Sequence, residues 1–358
     1  MEEPLIKRFF LVQEKFIAKN TALTNKLLVK IRVRFLPGGV YVKKVVSVSL
    51  GSSKRDHTVN VELLGQRFEI SRRGTDGDIN KAIAMLQELD GMVDAIGLGG
   101  IDVYLYAGNN RYVIHDGLRL MQSVKVTPVV DGSGLKNTLE REVVRHLVQQ
   151  GLIKQETKVL MVSAMDRFGM AEALTKIGCR ITFGDLIFSL GIRYPIYSLE
   201  KLKSIANKLM PIVSRLPFQI IYPTGAKQDK HNSAKSAKFA KYYQDAEVIA
   251  GDYHLIRKHL PGKMNGQIII TNTTTESDVK LLKERGAGVL VTTTPEFHGR
   301  TFGTNVMEAV FVSMLGKKWG DITQEDYNQL LRQLDWRPKI TRYKEEVFES
   351  NRQAIIVN

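Results

Sequence analysis

Apolar and polar positions follow two different rhythms along this chain, and the change near residue 150 predicts two domains. In the first half, Lys44–Leu50 reads as a strand carrying Val45, Val46, Val48 and Leu50. Val59–Leu63 and Arg67–Ser71 flank Gly65-Gln66, and Tyr104–Ala107 and Arg111–Ile114 flank Gly108-Asn-Asn110; both patterns predict hairpins. Thr75-Asp-Gly-Asp78 caps a helix whose apolar positions are Ala82, Ile83, Met85, Leu86 and Leu89. Short strands at Val93–Gly97 and Val126–Val130 lead to a long amphipathic helix over Leu135–Gln150. The second half alternates more regularly. Val159–Ser163, Arg180–Phe183, Gln219–Tyr222, Val248–Ala250, Ile268–Thr271 and Val289–Thr293 read as short apolar strands. Helical stretches separate them at Met170–Ile177, Leu199–Leu209, Ser236–Asp245, Ser277–Glu284 and Asn305–Leu315.

Strands alternating with helices imply right-handed crossovers and a parallel sheet covered on both faces. The expected fold class is therefore α/β: an N-terminal mixed α/β domain followed by a Rossmann-like parallel sheet domain. The expected boundaries are a basic extension over 1–40, a substrate-binding domain over 41–150, a nucleotide-binding domain over 151–316 and a helical tail over 317–358. Six strands in the second half match the count of a complete dinucleotide-binding sheet.

Composition changes this picture little, and charge adds one question. Hydrophobic residues make up 43% and charged residues 25%, as in ordinary globular proteins. The single cysteine, Cys179, excludes an internal disulfide and a cysteine-rich zinc site, and its surroundings suit a packed thiol better than a nucleophile. No apolar run reaches the roughly 20 residues of a membrane span, and the N-terminus lacks a secretory apolar core, so a cytoplasmic location is expected. The net charge is +15, with ten Lys/Arg against three Glu in residues 1–44. Such an arm suits either weak contact with nucleic acid or a solvated extension.

Candidate chemistry concentrates at strand ends. The first βα turn of the second half runs from Ser163 through Arg167 to Gly169 and opens a helix, a place where backbone N–H groups suit an anion. Asp185, just past the next strand, stands where an acidic residue accepts from an adenine-ribose hydroxyl; it also suits a helix cap. Arg167 suits a phosphate. Tyr222-Pro-Thr-Gly225, Gly251-Asp252, Thr271-Asn272 and Thr292-Thr293 add small polar groups at neighbouring strand ends. The loop Phe297–Asn305 offers His298 for proton transfer and Arg300 as an anion clamp. In the first half, Asp131 leaves a strand and Lys136-Asn137 open a helix; a lysine and a carboxylate so placed suit proton exchange at a substrate hydroxyl. Ser52 and Ser53 in Gly51–Arg55 and the stretch Gly97–Asp102 are placed to line the same opening.

Several of these stretches resemble a bacterial family labelled quinate (shikimate) 5-dehydrogenase-like: Ser47–Ser53, Thr127–Thr138, Phe183–Phe188, and Thr292–Pro295 with Phe302–Ala309. The resemblance covers about Lys44–Gly316. It implies a substrate domain followed by a nicotinamide-binding domain, with NAD or NADP as cofactor; Asp185 favours NAD. The leading expectation is thus an NAD(P)-dependent oxidoreductase of a small polyol acid such as quinate or shikimate. Lys136 and Asp131 exchange the hydroxyl proton. Ser163, Arg167, Gly169, Asp185, Thr271, Asn272 and Thr293 hold the cofactor, and Ser52, Ser53, Asn137, His298 and Arg300 hold the substrate. The alternatives are a nucleotide-dependent phosphotransferase, drawn from the Gly51-Ser-Ser-Lys54 loop, and a non-catalytic ligand sensor or nucleic-acid-associated protein, drawn from the charge. A homodimer is the expected assembly.

Overall fold

The computed structural model describes residues 41–108, 110–217, 233–294, 296–297, 300–317 and 319–343, with backbone alone at 233–238, 296–297, 300–301 and 319. The expected strand at 219–222, the loop at 222–225, His298 and the basic extension lie outside the described residues.

The first sheet opens with β1 (Val42–Ser49), then β2 (His57–Leu63) and β3 (Gln66–Gly74). The β2–β3 turn holds Leu64 and Gly65 at positive φ (49° and 74°), the backbone twist that a two-residue hairpin requires. Helix α1 (Ile79–Leu89) starts where the Asp78 carboxylate accepts from Lys81 N. After it come β4 (Ala95–Gly99), the hairpin β5 (Tyr104–Ala107) and β6 (Asn110–Val113), α2 (His115–Gln122), β7 (Val129–Val130) and α3 (Ser133–Gln149). The sheet order is β2-β3-β1-β4-β7, with only β2 antiparallel.

The second sheet alternates β8 (Lys158–Met161), α4 (Phe168–Ile177), β9 (Arg180–Phe183), α5 (Asp185–Phe188), α6 (Leu199–Val213), α7 (Ser233–Gln244), β10 (Val248–Ala250), α8 (Tyr253–His259), β11 (Ile268–Thr271), α9 (Glu276–Arg285) and β12 (Val289–Thr292). A short ribbon of β13 (Glu296–Phe297) and β14 (Arg300–Thr301) precedes α10 (Thr304–Leu315), α11 (Gln324–Gln333) and β15 (Lys339–Arg342). The order is β15-β12-β11-β10-β8-β9. Five of these strands are parallel and β15 is an antiparallel edge. The expected α/β class, a mixed domain followed by a Rossmann-like one, is what the chain forms.

Among the described residues the parallel strands run second-first-third-fourth-fifth in chain order, a doubly wound arrangement whose order reverses between β8 and β10. One expectation about organisation changes: the boundary at 316–317 gives way. Helix α10 packs on β1, β4 and β7 of the first sheet, and α11 joins it there. Val306, Met307, Ala309, Val310, Phe311 and Val312 are all buried, so α10 is apolar around most of its girth and must lie under cover. It fills the sheet face that Val45, Phe68, Ile70 and Ala95 would otherwise expose, and α1 and α2 cover the other face. Gly97 permits the fit: a Cβ there would lie 2.6 Å from the Asn305 carbonyl oxygen. The chain then returns to the second domain, where β15 pairs with β12.

Helix α3 belongs to both domains. Leu135 and Leu139 enter the first core, whereas Val143, Val144 and Leu147 enter the core under β8 and β9. Among the described residues no helix is long and apolar enough to cross a membrane.

Candidate functional site

The carboxyl ends of the parallel strands in the two sheets face each other. Arg55, beyond β1, reaches His254, beyond β10 (Nη1 to Nε2, 3.4 Å). Lys136, beyond β7, meets Asp166 in the loop after β8. Ligands of open α/β sheets bind at such strand ends, where the strand order reverses. In the second sheet that reversal lies between β8 and β10.

Helix α3 supplies one wall. Ser133, Lys136, Asn137 and Glu140 recur at helical spacing and so share a face. With Tyr104, Tyr106, Met165, Asp166, Phe168 and Gly169 they line a pocket of about 270 Å³ of empty space, part of it open to solvent. Lys136 Nζ donates to Asp102 Oδ1 at 3.1 Å and to Asp166 Oδ1 at 2.5 Å, and its side chain is 14% exposed. Burial works to lower the ammonium's pKa, but the carboxylates of Asp102 and Asp166 outweigh it and raise the value above its ordinary level. Burial likewise opposes charge on Asp166, and Lys136 and Arg167 overcome it, so this carboxyl lies below the usual range. The two carboxylates thus favour the charged form of Lys136. Two of its three N–H donors are used; among the described residues nothing accepts the third.

Arg167 is 1% exposed and donates to Glu140, also 1% exposed, across the interface of α3 with the second domain. Its other nitrogens lie 3.9 Å from Asp166 and 3.9 Å from Asp252. Burial pushes the Glu140 carboxyl up to about 7 against the pull of this guanidinium. One continuous charged chain thus runs from Asp102 through Lys136, Asp166 and Arg167 to Asp252.

Several expected roles are corrected here. Asp131 does not pair with Lys136. Its Oδ2 accepts from the backbone N–H of Val103 (2.7 Å) and Tyr104 (2.9 Å), and its Oδ1 from Ser133 N (2.9 Å) and Ser133 Oγ (2.6 Å). A buried carboxylate so saturated ties two loops together and has no lone pair left for proton exchange. Arg167 is spent on Glu140 rather than facing a phosphate. Gly169 brings α4 against α3: a Cβ there would lie 2.5 Å from the Asn137 carbonyl oxygen, which covers the helix start where a pyrophosphate was expected. Asp185 neither caps its own helix nor faces a ribose. Its Oδ1 accepts from Met165 N at 2.9 Å, and its buried Oδ2 has no partner. Burial pushes this carboxyl up to about 6. The residues present therefore do not fit a dinucleotide whose pyrophosphate sits at the start of α4.

The remaining expected residues separate into four places. Asn137 lines the pocket, and its Oδ1 accepts from Arg141 Nη2 at 3.2 Å. Ser163, Thr271, Asn272 and Thr293 lie at the carboxyl ends of β8, β11 and β12, with β10 between β8 and β11. Ser163 Oγ accepts from Asp252 N at 3.0 Å, Thr271 Oγ1 donates to Gly251 O at 2.9 Å, and Asn272 Nδ2 donates to Asp252 Oδ2 at 3.4 Å. The Thr293 hydroxyl is buried without a partner. Ser52 caps the short turn that carries Arg55, and Ser53 N donates to Asp76. Arg300 lies in β14, where only the backbone is described. Sequence reasoning passed over Asp102, Asp166, Glu140 and Asp252 as partners. Of these only Glu140 carried a local signal, four residues beyond Lys136 on one helix face. The Cys179 thiol donates to Lys154 O at 3.7 Å, and burial pushes its pKa up to about 11, consistent with an unreactive thiol.

The α3–α4 contact makes a direct prediction. Gly169→Ala must part the two helices or bend one, at a cost of about 1–3 kcal/mol typical of overpacking, read as a lower thermal unfolding midpoint.

A family model described as Domain of unknown function (DUF8754) matches residues 134–343, and one described as Domain of unknown function (DUF8753) matches residues 44–131. No curated protein matches the chain. Among solved structures, it is similar to a hetero-hexameric glutamate dehydrogenase from Thermus thermophilus at 13% identity, covering 82% of this chain and 74% of that one, with a TM-score of 0.38. A galactofuranose binding protein is 11% identical over 82% of this chain and 98% of its own, at a TM-score of 0.36. A sugar ABC transport substrate-binding protein from Bordetella parapertussis is 12% identical over 87% and 93%, at 0.33. Likenesses this distant carry no argument about what the chain binds.

Proposed function

The chain belongs to the family described as Domain of unknown function (DUF8754), and we propose that it binds a small hydroxylated molecule in the cleft between its two α/β domains. The observation that carries this reading is Lys136 held between Asp102 and Asp166, one carboxylate from each domain, at a polar pocket. A ligand hydroxyl or carbonyl oxygen accepts the third N–H of the ammonium, and ligand O–H groups donate to the flanking carboxylates. Around Lys136 and Arg167 stand Asp102, Asp166 and Glu140, so the pocket carries no surplus of positive charge. That balance favours recognition of hydroxyls over an acid group at this point.

The oxidoreductase reading of the same site, acting on a polyol acid such as quinate or shikimate, is the finer form of the proposal. In it the fixed Lys136 cation polarises the reacting oxygen, and Asp102, in place of Asp131, takes the hydroxyl proton. The hydride would need an acceptor, and NAD or NADP would have to bind away from the start of α4 to supply that chemistry.

The test is calorimetric titration with quinate, shikimate and hexitols, each with and without NAD or NADP. Replacing Lys136 and Asp166 together by Met and Asn keeps the local charge balanced. This double variant is expected to weaken ligand binding by about 10–100-fold, the loss of one or two charge-assisted hydrogen bonds. Equal affinity in the double variant and the natural protein would sink the reading.

A further inference from the structure

We infer that Arg55 and His254 form a seat for an oxyanion, a carboxylate or phosphate group, between the two domains. The first reason is charge. Other cations at the strand ends or on α3 have carboxylate partners: Arg72 has Asp56, Lys136 has Asp102 and Asp166, Arg141 has Glu172, Arg145 has Glu142 and Arg167 has Glu140. Arg55 has none within 4 Å among the described residues, and the side-chain partner it does have is the His254 ring, 3.4 Å away in the other domain. Two nitrogen-rich groups held in contact without a counter-charge describe half of an anion site. A guanidinium presents a planar fork of N–H donors that matches a carboxylate or phosphate, and His254, whose Nε2 accepts from Arg55 Nη1, holds that fork in place from the opposite wall.

The second reason is position. Arg55 stands beyond β1, the strand flanked by β3 and β4, where the first sheet reverses direction; His254 stands beyond β10, at the reversal of the second. Strand-end reversals are where α/β sheets take ligands, and here one member of the pair comes from each. Asp252 lies close by, but its carboxylate is already committed: Oδ1 accepts from His254 N at 2.9 Å, and Oδ2 faces Asn272 and Arg167. This seat deepens the reading above, because it places the acidic end of a hydroxylated acid apart from the hydroxyl-binding lysine, yet it stands without that reading.

The experiment is calorimetric titration with inorganic phosphate and, separately, acetate, at constant ionic strength set by potassium chloride. The natural protein is expected to bind at least one of them saturably, and the stronger of the two identifies the group. Arg55→Met is expected to weaken that binding by tenfold or more with an unchanged unfolding midpoint, since among the described residues the side chain makes no ion pair and one side-chain hydrogen bond, to His254. The variant with Lys136→Met and Asp166→Asn is expected to bind the anion as the natural protein does, so a failed hydroxyl site leaves this result standing. If neither anion binds, or if Arg55→Met titrates like the natural protein, the proposal is overturned.

Discussion

Replacing Glu140 by Leu is expected to cost about 3–5 kcal/mol of folding stability, the usual penalty for stripping one partner from a buried ion pair. The guanidinium of Arg167 is 1% exposed and cannot shed its charge, and its remaining carboxylates, Asp166 and Asp252, stand at 3.9 Å. Arg167→Met is expected to be milder. It leaves Glu140, whose carboxyl burial has already pushed up to about 7 and which can take a proton instead of remaining charged. The double variant Glu140→Leu with Arg167→Met is expected to recover most of the loss, because two apolar side chains of similar volume need no counter-charge. Urea unfolding at pH 7 checks the order: Glu140→Leu lowest, Arg167→Met next, the double variant closest to the natural protein. A double variant as unstable as Glu140→Leu would mean that packing, not charge, governs this contact.

Stability is expected to fall as pH rises from 5 to 8, with Glu308 the largest single contributor. This carboxyl is fully buried in α10; its Oε1 accepts from Tyr327 Oη at 2.7 Å, and its Oε2 has no partner. Burial, with the nearby Asp131 charge, pushes its pKa up to about 8 from the ordinary value of 4.5. Its folded pKa therefore lies above its unfolded one. The stabilisation is complete below about pH 4.5 and is lost as pH climbs to about 8, because unfolding in that window releases a proton. Each pH unit inside the window is worth about 1.4 kcal/mol. Glu308→Gln, which keeps the shape and cannot ionise, is expected to remove on the order of 3 kcal/mol from the difference between pH 5 and pH 8. Glu140 and Asp185, raised to about 7 and about 6, add to the fall in the same direction and remain in the variant. Urea unfolding of both proteins at the two pH values decides it; equal slopes would show that Glu308 is ionised throughout.

Sequence alone located what depends on near neighbours. The strands Val248–Ala250 and Ile268–Thr271 coincide with their apolar runs, because a strand buried on both faces is apolar along nearly all its length. The Asp78 cap, the hairpin at Gly65 and the opening of a helix at Lys136-Asn137 were legible for the same reason: caps and turns are satisfied within a few residues. Lys136 could be singled out this way, but its partners could not. Asp102 lies 34 residues before it and Asp166 lies 30 after it, and the distance between them is set by how two sheets face each other. Asp131 looked like the natural partner because it is near in the chain, yet two backbone N–H groups from the β5 hairpin and the Ser133 N–H and hydroxyl absorb it. Arg167, Gly169 and Asp185 were read as a cofactor loop from their spacing. The tertiary structure closes that loop with α3, a helix whose apolar positions serve one core at Leu135 and Leu139 and the other at Val143, Val144 and Leu147. No local pattern distinguishes a helix that covers one domain from a helix that joins two. The same limit hid the return of α10 to the first sheet, since periodicity reports how much of a helix must be buried and not which surface will bury it.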